Sequence, residues 1–458
     1  MAETVFQRFS ELSPIPVMVG GMLERVLSPE HLDALFERTA DRQYTRELLF
    51  STVFELMSQV VCGIQPSMHA AYQGQVEALS VSLTSVYNKL NGIAPATSSA
   101  LVSYSAQALA PLVEQMAGEA EPFLKGYRLK IVDGNCLAAS QHRLEELRLL
   151  ASGALPGKSL VVYDPAVQMA VAAICCEDGH AQERRLMEAL TPLINAQEVW
   201  LADRNFCTRA FLRQIVQQQA FFVIRHHANL PWEPASLLGE EGRIETGLVH
   251  QQLVRIVDDQ GQTHRWRRIT LTLDQPTRDG DYQITILSNL PLRVSALQIA
   301  RLYRRRWTIE GAFQELAQHL NSELNTLGYP AAALFAFCVA LVAYNIMAVV
   351  KAALRAVHGA EKIDQQLSGY YLAHEIANTW RGMMIAIPQE TWARFRKWSI
   401  PQVATFLIEL AEQVNLRRYR KHPRGPKKAK PLPRDADQKP HVATARLIAQ
   451  RKKVAHAP

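Results

Sequence analysis

The stretch "YRLKIVDGNCLAA", residues 127–139, runs an apolar, β-branched segment into Asp133-Gly134. It predicts a strand that ends in a turn, with an aspartate at its carboxyl end. The same arrangement returns in "EVWLADRNF", residues 198–206, where Asp203 closes a second apolar run. Between them, "KSLVVYDPAVQMAVAAICCEDG" (158–179) reads as two strands joined at Asp164-Pro165, and "AQERRLMEALTPLI" (181–194) as a helix. "TRAFLRQIVQQQ" (208–219) is helical in pattern and "AFFVIRHH" (220–227) strand-like. The order β-β-β-α-β-α-β predicts an α/β core. Ligand sites in such sheets form at the carboxyl ends of strands, where both aspartates sit.

Outward from this core the patterns change. Residues 1–120 show apolar residues at helical spacing, as in "SPEHLDALFERTA" (28–40, with Ser28 as N-cap) and "TRELLFSTVFELMSQVV" (45–61), and predict a helical N-terminal domain. The core's first part spans 121–227. From 228 to 295, alternating segments such as "GLVHQQLVRIVDD" and "YQITILSNL" predict an antiparallel β insertion, which separates the core from its second part at 296–357. A helical C-terminal region (358–416) and a basic tail (417–458) follow. Trp266, among Arg265, Arg267 and Arg268, suits either the insertion's own core or stacking on an extruded base.

"YRRRWTIEGAFQEL", residues 303–316, opens the second part of the core. At about 100° per residue a helix sets Tyr303, Arg306 and Glu310 on one face. Taken alone, Arg306 and Glu310 are an i,i+4 ion pair worth a few tenths of a kcal/mol. Taken with Asp133 and Asp203, Glu310 is a third carboxylate, and three carboxylates suit hard divalent cations that clamp the oxygens of a phosphoryl transfer. Arg306 and Tyr303 would then hold DNA phosphate beside the reacting bond. "EDGHAQER" (177–184) offers Glu177, Asp178, His180 and Glu183 as a weaker group, read as a helix N-terminal cap with Asp178, or as residues behind the main site or in contact with DNA.

The composition bounds the partners. The 458 residues are 48% hydrophobic and 20% charged, which is globular. The formal charge is +7, yet the segment from Arg417 onward holds fourteen lysines and arginines against two aspartates, giving +12 and leaving −5 for the rest. Arg417, Arg418, Arg420 and Lys421 lead this tail, whose Pro- and Gly-interrupted 417–434 stretch reads as extended and suited to salt-dependent phosphate contacts. Six cysteines, Cys175 and Cys176 adjacent and the other four far apart, show no metal spacing and predict a reducing compartment, and the N-terminus lacks the pattern of an export signal. "AAALFAFCVALVAYNIMAVV" (331–350) has the length of a membrane span, but its seven alanines and Asn345 predict a buried core helix. The expected location is cytoplasmic, without a membrane.

With "DGN" at 133–135, "DRNF" at 203–206 and Tyr303, Arg306 and Glu310 in Tyr-x2-Arg-x3-Glu spacing, the sequence resembles the cut-and-paste DDE transposases of bacterial insertion sequences. That family's signature continues with a lysine, where this chain has Ala317. The resemblance implies an RNase H-like catalytic core interrupted by the β insertion. In it Asp133, Asp203 and Glu310 bind two Mg²⁺ ions, with Mn²⁺ as a substitute. It implies cleavage and strand transfer at the terminal inverted repeats of double-stranded DNA, then joining to target DNA. A homodimer would form on the paired ends, and Arg304 and Arg305 would join the DNA contacts. Two other readings are a catalytically retired transposase that only binds DNA, favoured by Ala317, and a structure-specific nuclease on the same core.

Overall fold

The computed structural model describes residues 2–41, 47–77, 79–137, 153–277, 280–422 and 441–455. Seven helices come first: α1 (Ala2–Leu12), α2 (Pro14–Val26), α3 (Pro29–Thr39), α4 (Phe50–Val61), α5 (Met68–Gln73), α6 (Leu83–Asn91) and α7 (Pro95–Gln115). Ser28 stands at the N-cap position of α3 without a side-chain capping bond, and Pro29 fills the first helical position, where the missing N–H costs nothing.

Strands β1 (Arg128–Cys136), β2 (Gly153–Leu155), β3 (Lys158–Asp164), β4 (Met169–Cys176) and β5 (Glu198–Ala202) follow, then α8 (Arg209–Gln217) and β6 (Phe221–Arg225). The expected helix at 181–194 is instead two 3₁₀ segments, Glu183–Arg185 and Met187–Leu193. Pro192 lies inside the second, and a proline there removes a donor and blocks the α-helical ladder. The antiparallel strands β7 (Glu233–Pro234), β8 (Gly239–Ile244), β9 (Gly247–Val257), β10 (Thr263–Leu273) and β11 (Gln283–Ser288) complete the sheet.

All but β2 belong to one ten-stranded sheet, ordered β4-β3-β1-β5-β6-β11-β10-β9-β7, with β8 also on β9. β1, β5 and β6 run parallel, whereas β3 and β4 on one side and β11 through β7 on the other pair antiparallel. The segment expected as an insertion is therefore continuous with the core: Ile286–Ser288 of β11 pairs with Val223–Arg225 of β6. Trp266 is buried and meets Phe222 edge-on, with ring centroids 5.0 Å apart, so its place is in the core and not at an extruded base.

Helices α9 (Ala296–Arg304), α10 (Trp307–His319), α11 (Pro330–His358), α12 (Ala360–Gln366), α13 (Gly369–Ala386), α14 (Gln389–Ala393) and α15 (Ile400–Gln413) follow, and β12 (His441–Ala443) and α16 (Thr444–Ala455) end the described chain. β12 pairs in parallel with β2. Of the extended tail expected at 417–434, residues 423–434 lie outside the described residues, and Leu416–Tyr419 is a 3₁₀ turn.

Side chains alternate across the sheet and sort into two cores. Ile131, Val161, Leu201 and Val223 face the helices α7, α9, α10 and α11, whereas Val132, Val162, Trp200 and Phe222 face α8 and the 3₁₀ segments. α11 is the central rod, its most apolar window 94% buried inside the protein, as its alanines and Asn345 led us to expect. Asn345 is fully buried and spends its amide on β4: it accepts from Ala170 N–H (2.9 Å) and donates to Ala170 C=O (2.9 Å) and Ser105 Oγ (3.2 Å). Since β4 is the sheet's outermost strand, one side-chain amide stands in for a neighbouring strand at this point. The N-terminal helices are not a separate body, because one hydrophobic cluster runs from Phe6 through α11 to Tyr419.

Candidate active site

Sheet register brings the two aspartates together. β1 and β5 are parallel, with Ile131 opposite Leu201. Two residues further on stand Asp133, still in β1, and Asp203, just past the end of β5 at Ala202, near enough for the Asp203 charge to act on Asp133. Both share the parity of Ile131 and Leu201, so both start toward the face covered by α9 and α10. One expectation is corrected here. β1 does not turn at Asp133-Gly134 but continues to Cys136, because β3 goes on pairing with it (Asp133 opposite Val161, Cys136 opposite Lys158) after the parallel pairing with β5 has stopped. Asp203 does end its strand. It caps the 3₁₀ turn Arg204–Phe206 by accepting from Asn205 N–H at 2.8 Å.

Glu310 arrives on a helix that is not continuous with Tyr303. α9 ends at Arg304, and Arg305 and Arg306 form a tight joint with i→i+3 bonds (Arg305 N–H to Leu302 C=O, 2.9 Å; Arg306 N–H to Tyr303 C=O, 3.0 Å) before α10 starts at Trp307. The helix expected from the sequence is thus broken at 305–306, yet Arg306 still meets both Tyr303 and Glu310. Tertiary anchors fix the joint: Tyr303 is buried, Arg305 lies over the Phe123 ring at 4.6 Å, and Arg304 pairs with Glu245 at 3.1 Å.

Arg306 is the centre of the site. Its Nη1 donates to Asp133 Oδ2 at 2.9 Å and its Nη2 to Glu310 Oε1 at 2.9 Å. The plain i,i+4 ion pair therefore exists, and the same guanidinium reaches across to β1. Asp133 Oδ1 accepts from Gly134 N–H at 3.0 Å, so both its oxygens are engaged. Burial pushes the Asp133 carboxyl up to about 6; Arg306 and the Gly134 N–H pull it down, and the nearby Asp203 and Glu310 charges add to the rise. Burial likewise raises the Tyr303 phenol.

A further carboxylate stands behind the pair. A Cβ on Gly134 would lie 2.4 Å from Glu183 Oε1, so Glu183 packs directly on the β1 backbone, and its Oε2 accepts from Asn205 Nδ2 at 3.3 Å. Of the group at 177–184, only Glu183 reaches the site. Asp178 instead caps its own turn by accepting from His180 N–H at 3.0 Å. The absence of a side chain at Gly134 is the sequence signal for this contact. Among the described residues, no three acidic, histidine or cysteine side chains converge as metal ligands do; the Arg306 guanidinium lies between Asp133 and Glu310.

The remaining candidates are dispersed. Arg304 and Arg305 are held by Glu245 and Phe123. Arg418 donates to Leu12 C=O (3.2 Å) and Lys421 to Asp364 C=O (3.1 Å), while Arg417 and Arg420 line a surface cavity of about 390 Å³ beside His358 and Leu416. Ala317 is exposed on α10.

Residues 151–346 match the family described as the transposase DDE domain. A stretch of 194 residues is 26% identical to a probable transposase for an insertion sequence element of Geobacillus stearothermophilus, covering 42% of this chain and 48% of that protein. The chain thus spans about half the length of this relative. Asp203, Tyr303, Arg306 and Glu310 fall within the family match, and Asp133 precedes it.

Proposed function

Taking residues 151–346 as a transposase DDE domain, we propose that this chain is an insertion-sequence transposase that cleaves DNA at terminal inverted repeats and transfers the freed strand to target DNA. The reading is carried by the parallel pairing of β1 with β5, whose ends bear Asp133 and Asp203, together with Glu310 linked to Asp133 through one arginine. The mixed sheet, antiparallel in β4-β3-β1 and parallel in β1-β5-β6, supports an RNase H-like core.

The donor set fits Mg²⁺ or Mn²⁺ in kind. Asp133, Asp203 and Glu310 offer hard carboxylate oxygens, and the Asp133 carboxyl, raised mainly by burial and further by the Asp203 and Glu310 charges, would be favoured in its ionised form by a cation. Bound there, two such ions would supply Lewis-acid stabilisation of the attacking and leaving oxygens. The chain's own residues do the rest. Arg306 offers a planar fork to a DNA phosphate, and Tyr303 backs it from the core. Glu183 and Asn205 tie the Asp203 turn to β1. The N-terminal helices would read the repeat and the basic tail would add phosphate contacts, on a homodimer that pairs two ends.

The test is cleavage of a duplex carrying the inverted repeat that flanks the coding sequence, with Mg²⁺, Mn²⁺ or EDTA, by the natural chain and by Asp203→Ala. Metal-dependent nicking at the repeat boundary, lost in the variant while end binding persists, is the expected result. Nicking that survives the substitution would overturn the assignment.

A further inference from the structure

Both oxygens of Asp133 are committed in this structure, one to its neighbour's backbone and one to Arg306. The guanidinium is only 12% exposed, and it holds Glu310, itself 51% exposed, with its second nitrogen. A cation bridging Asp133 and Glu310 needs oxygens that Arg306 now occupies, and a second positive charge at that point repels one already present. We infer that Arg306 is an internal counter-ion that keeps the acidic site closed to divalent metal until a DNA phosphate draws the guanidinium away, so that DNA and metal bind cooperatively.

The geometry favours such an exchange. A guanidinium donates two parallel bonds to phosphate as readily as to carboxylate, so Arg306 can trade partners without losing hydrogen bonds. Glu310 lies in the first turn of α10, half in solvent, where its side chain is free to turn once released. Arg306 is the N-cap of α10, where the joint holds its backbone, so only its side chain has to move in the exchange. Coupling of this kind is reciprocal: if phosphate relieves the competition for metal, metal strengthens the hold on DNA by the same factor. The free protein would then carry its metal weakly, and the complete site would assemble on DNA. This inference rests on the metal-site reading above.

The experiment is Mn²⁺ titration of the full-length protein by calorimetry, with free Mn²⁺ followed by electron paramagnetic resonance. Without DNA, Arg306→Gln should bind Mn²⁺ about ten- to a hundredfold more tightly than the natural chain, the usual range for linked sites. Arg306→Lys, which keeps the charge but holds only one carboxylate at a time, should lie between them and serves if the glutamine variant fails to fold. A random-sequence duplex, titrated against the duplex alone, should raise the affinity of the natural chain and leave Arg306→Gln unchanged. Equal Mn²⁺ affinity in all three proteins overturns the counter-ion while leaving the metal site in place. A duplex without effect on the natural chain overturns the coupling. Absence of Mn²⁺ binding in every protein removes the metal site and the functional reading with it.

Discussion

Replacing Asn345 by leucine isolates the contact that joins the central helix to the edge of the sheet. The change keeps the heavy-atom count and branching but deletes the amide, leaving the N–H and C=O of Ala170 buried without partners. Each stranded group costs about 1–3 kcal/mol, and the extra apolar burial of leucine returns about 1–2 kcal/mol. The net loss is near ~3 kcal/mol. Ser105 adds little, since its hydroxyl already donates to Val102 C=O at 2.8 Å. With an unfolding entropy of about 2.1 cal/mol/K per residue, a 458-residue chain melting as one unit loses about 1 °C per kcal/mol. Differential scanning calorimetry should therefore show a drop of about 3 °C. Hydrogen exchange should show faster exchange at Ala170 and its β4 neighbours but not at β5. Ser105→Ala, which leaves both bonds to Ala170 intact, should cost less than about 1 kcal/mol. An Asn345→Leu protein with an unchanged midpoint and an unchanged β4 would refute the view that this amide satisfies the strand edge.

Two further changes test the site. The folded-state carboxyl of Asp133 sits at about 6, above its ordinary value of 3.8, so its ionisation costs stability; the penalty is full above pH 6 and relieved as pH falls toward 4. Asp133→Asn should accordingly raise the melting temperature at pH 7.5 and have no effect near pH 4, and a stabilisation that is equal at both would contradict the assigned cause. Gly134→Ala would drive a Cβ to within 2.4 Å of Glu183 Oε1, forcing that side chain off Asn205; nicking activity should fall about tenfold or more, with partial recovery in Gly134→Ala/Glu183→Ala, and a fully active single variant would show that Glu183 does not support the Asp203 turn.

The legible parts of this chain were those written in local pattern. Apolar β-branched runs marked β1, β3, β4 and β5, and the position of Asp203 after Ala202 followed directly. α11 was readable as buried because Asn345 and its alanines speak against lipid, and its burial bears this out. What local pattern could not carry was pairing. Whether β1 stops at Asp133 depends on β3, more than twenty residues away, and that partner carries it on to Cys136. The joint at Arg305 and Arg306 is invisible in helical periodicity, since Tyr303, Arg304 and Arg305 are pinned there by the core, Glu245 and Phe123. Pro192 was a visible reason to doubt a helix at 181–194, and the pattern of apolar residues outweighed it wrongly. Glu183 reached the site only through the small size of Gly134, a cue that needs both ends of the contact to be seen at once.

The seam between β6 and β11 has a mechanical consequence. Because those strands are zipped edge to edge, the outer strands and the aspartate-bearing strands form a single plank, and a load placed on β9 or β10 arrives at β5 as shear, without a swinging flap to absorb it. The joint before α10 is tied to the same plank, because Arg304 pairs with Glu245 in the turn between β8 and β9. Arg306 is thus mounted on the frame that carries the aspartates, and strain in one is felt by the other.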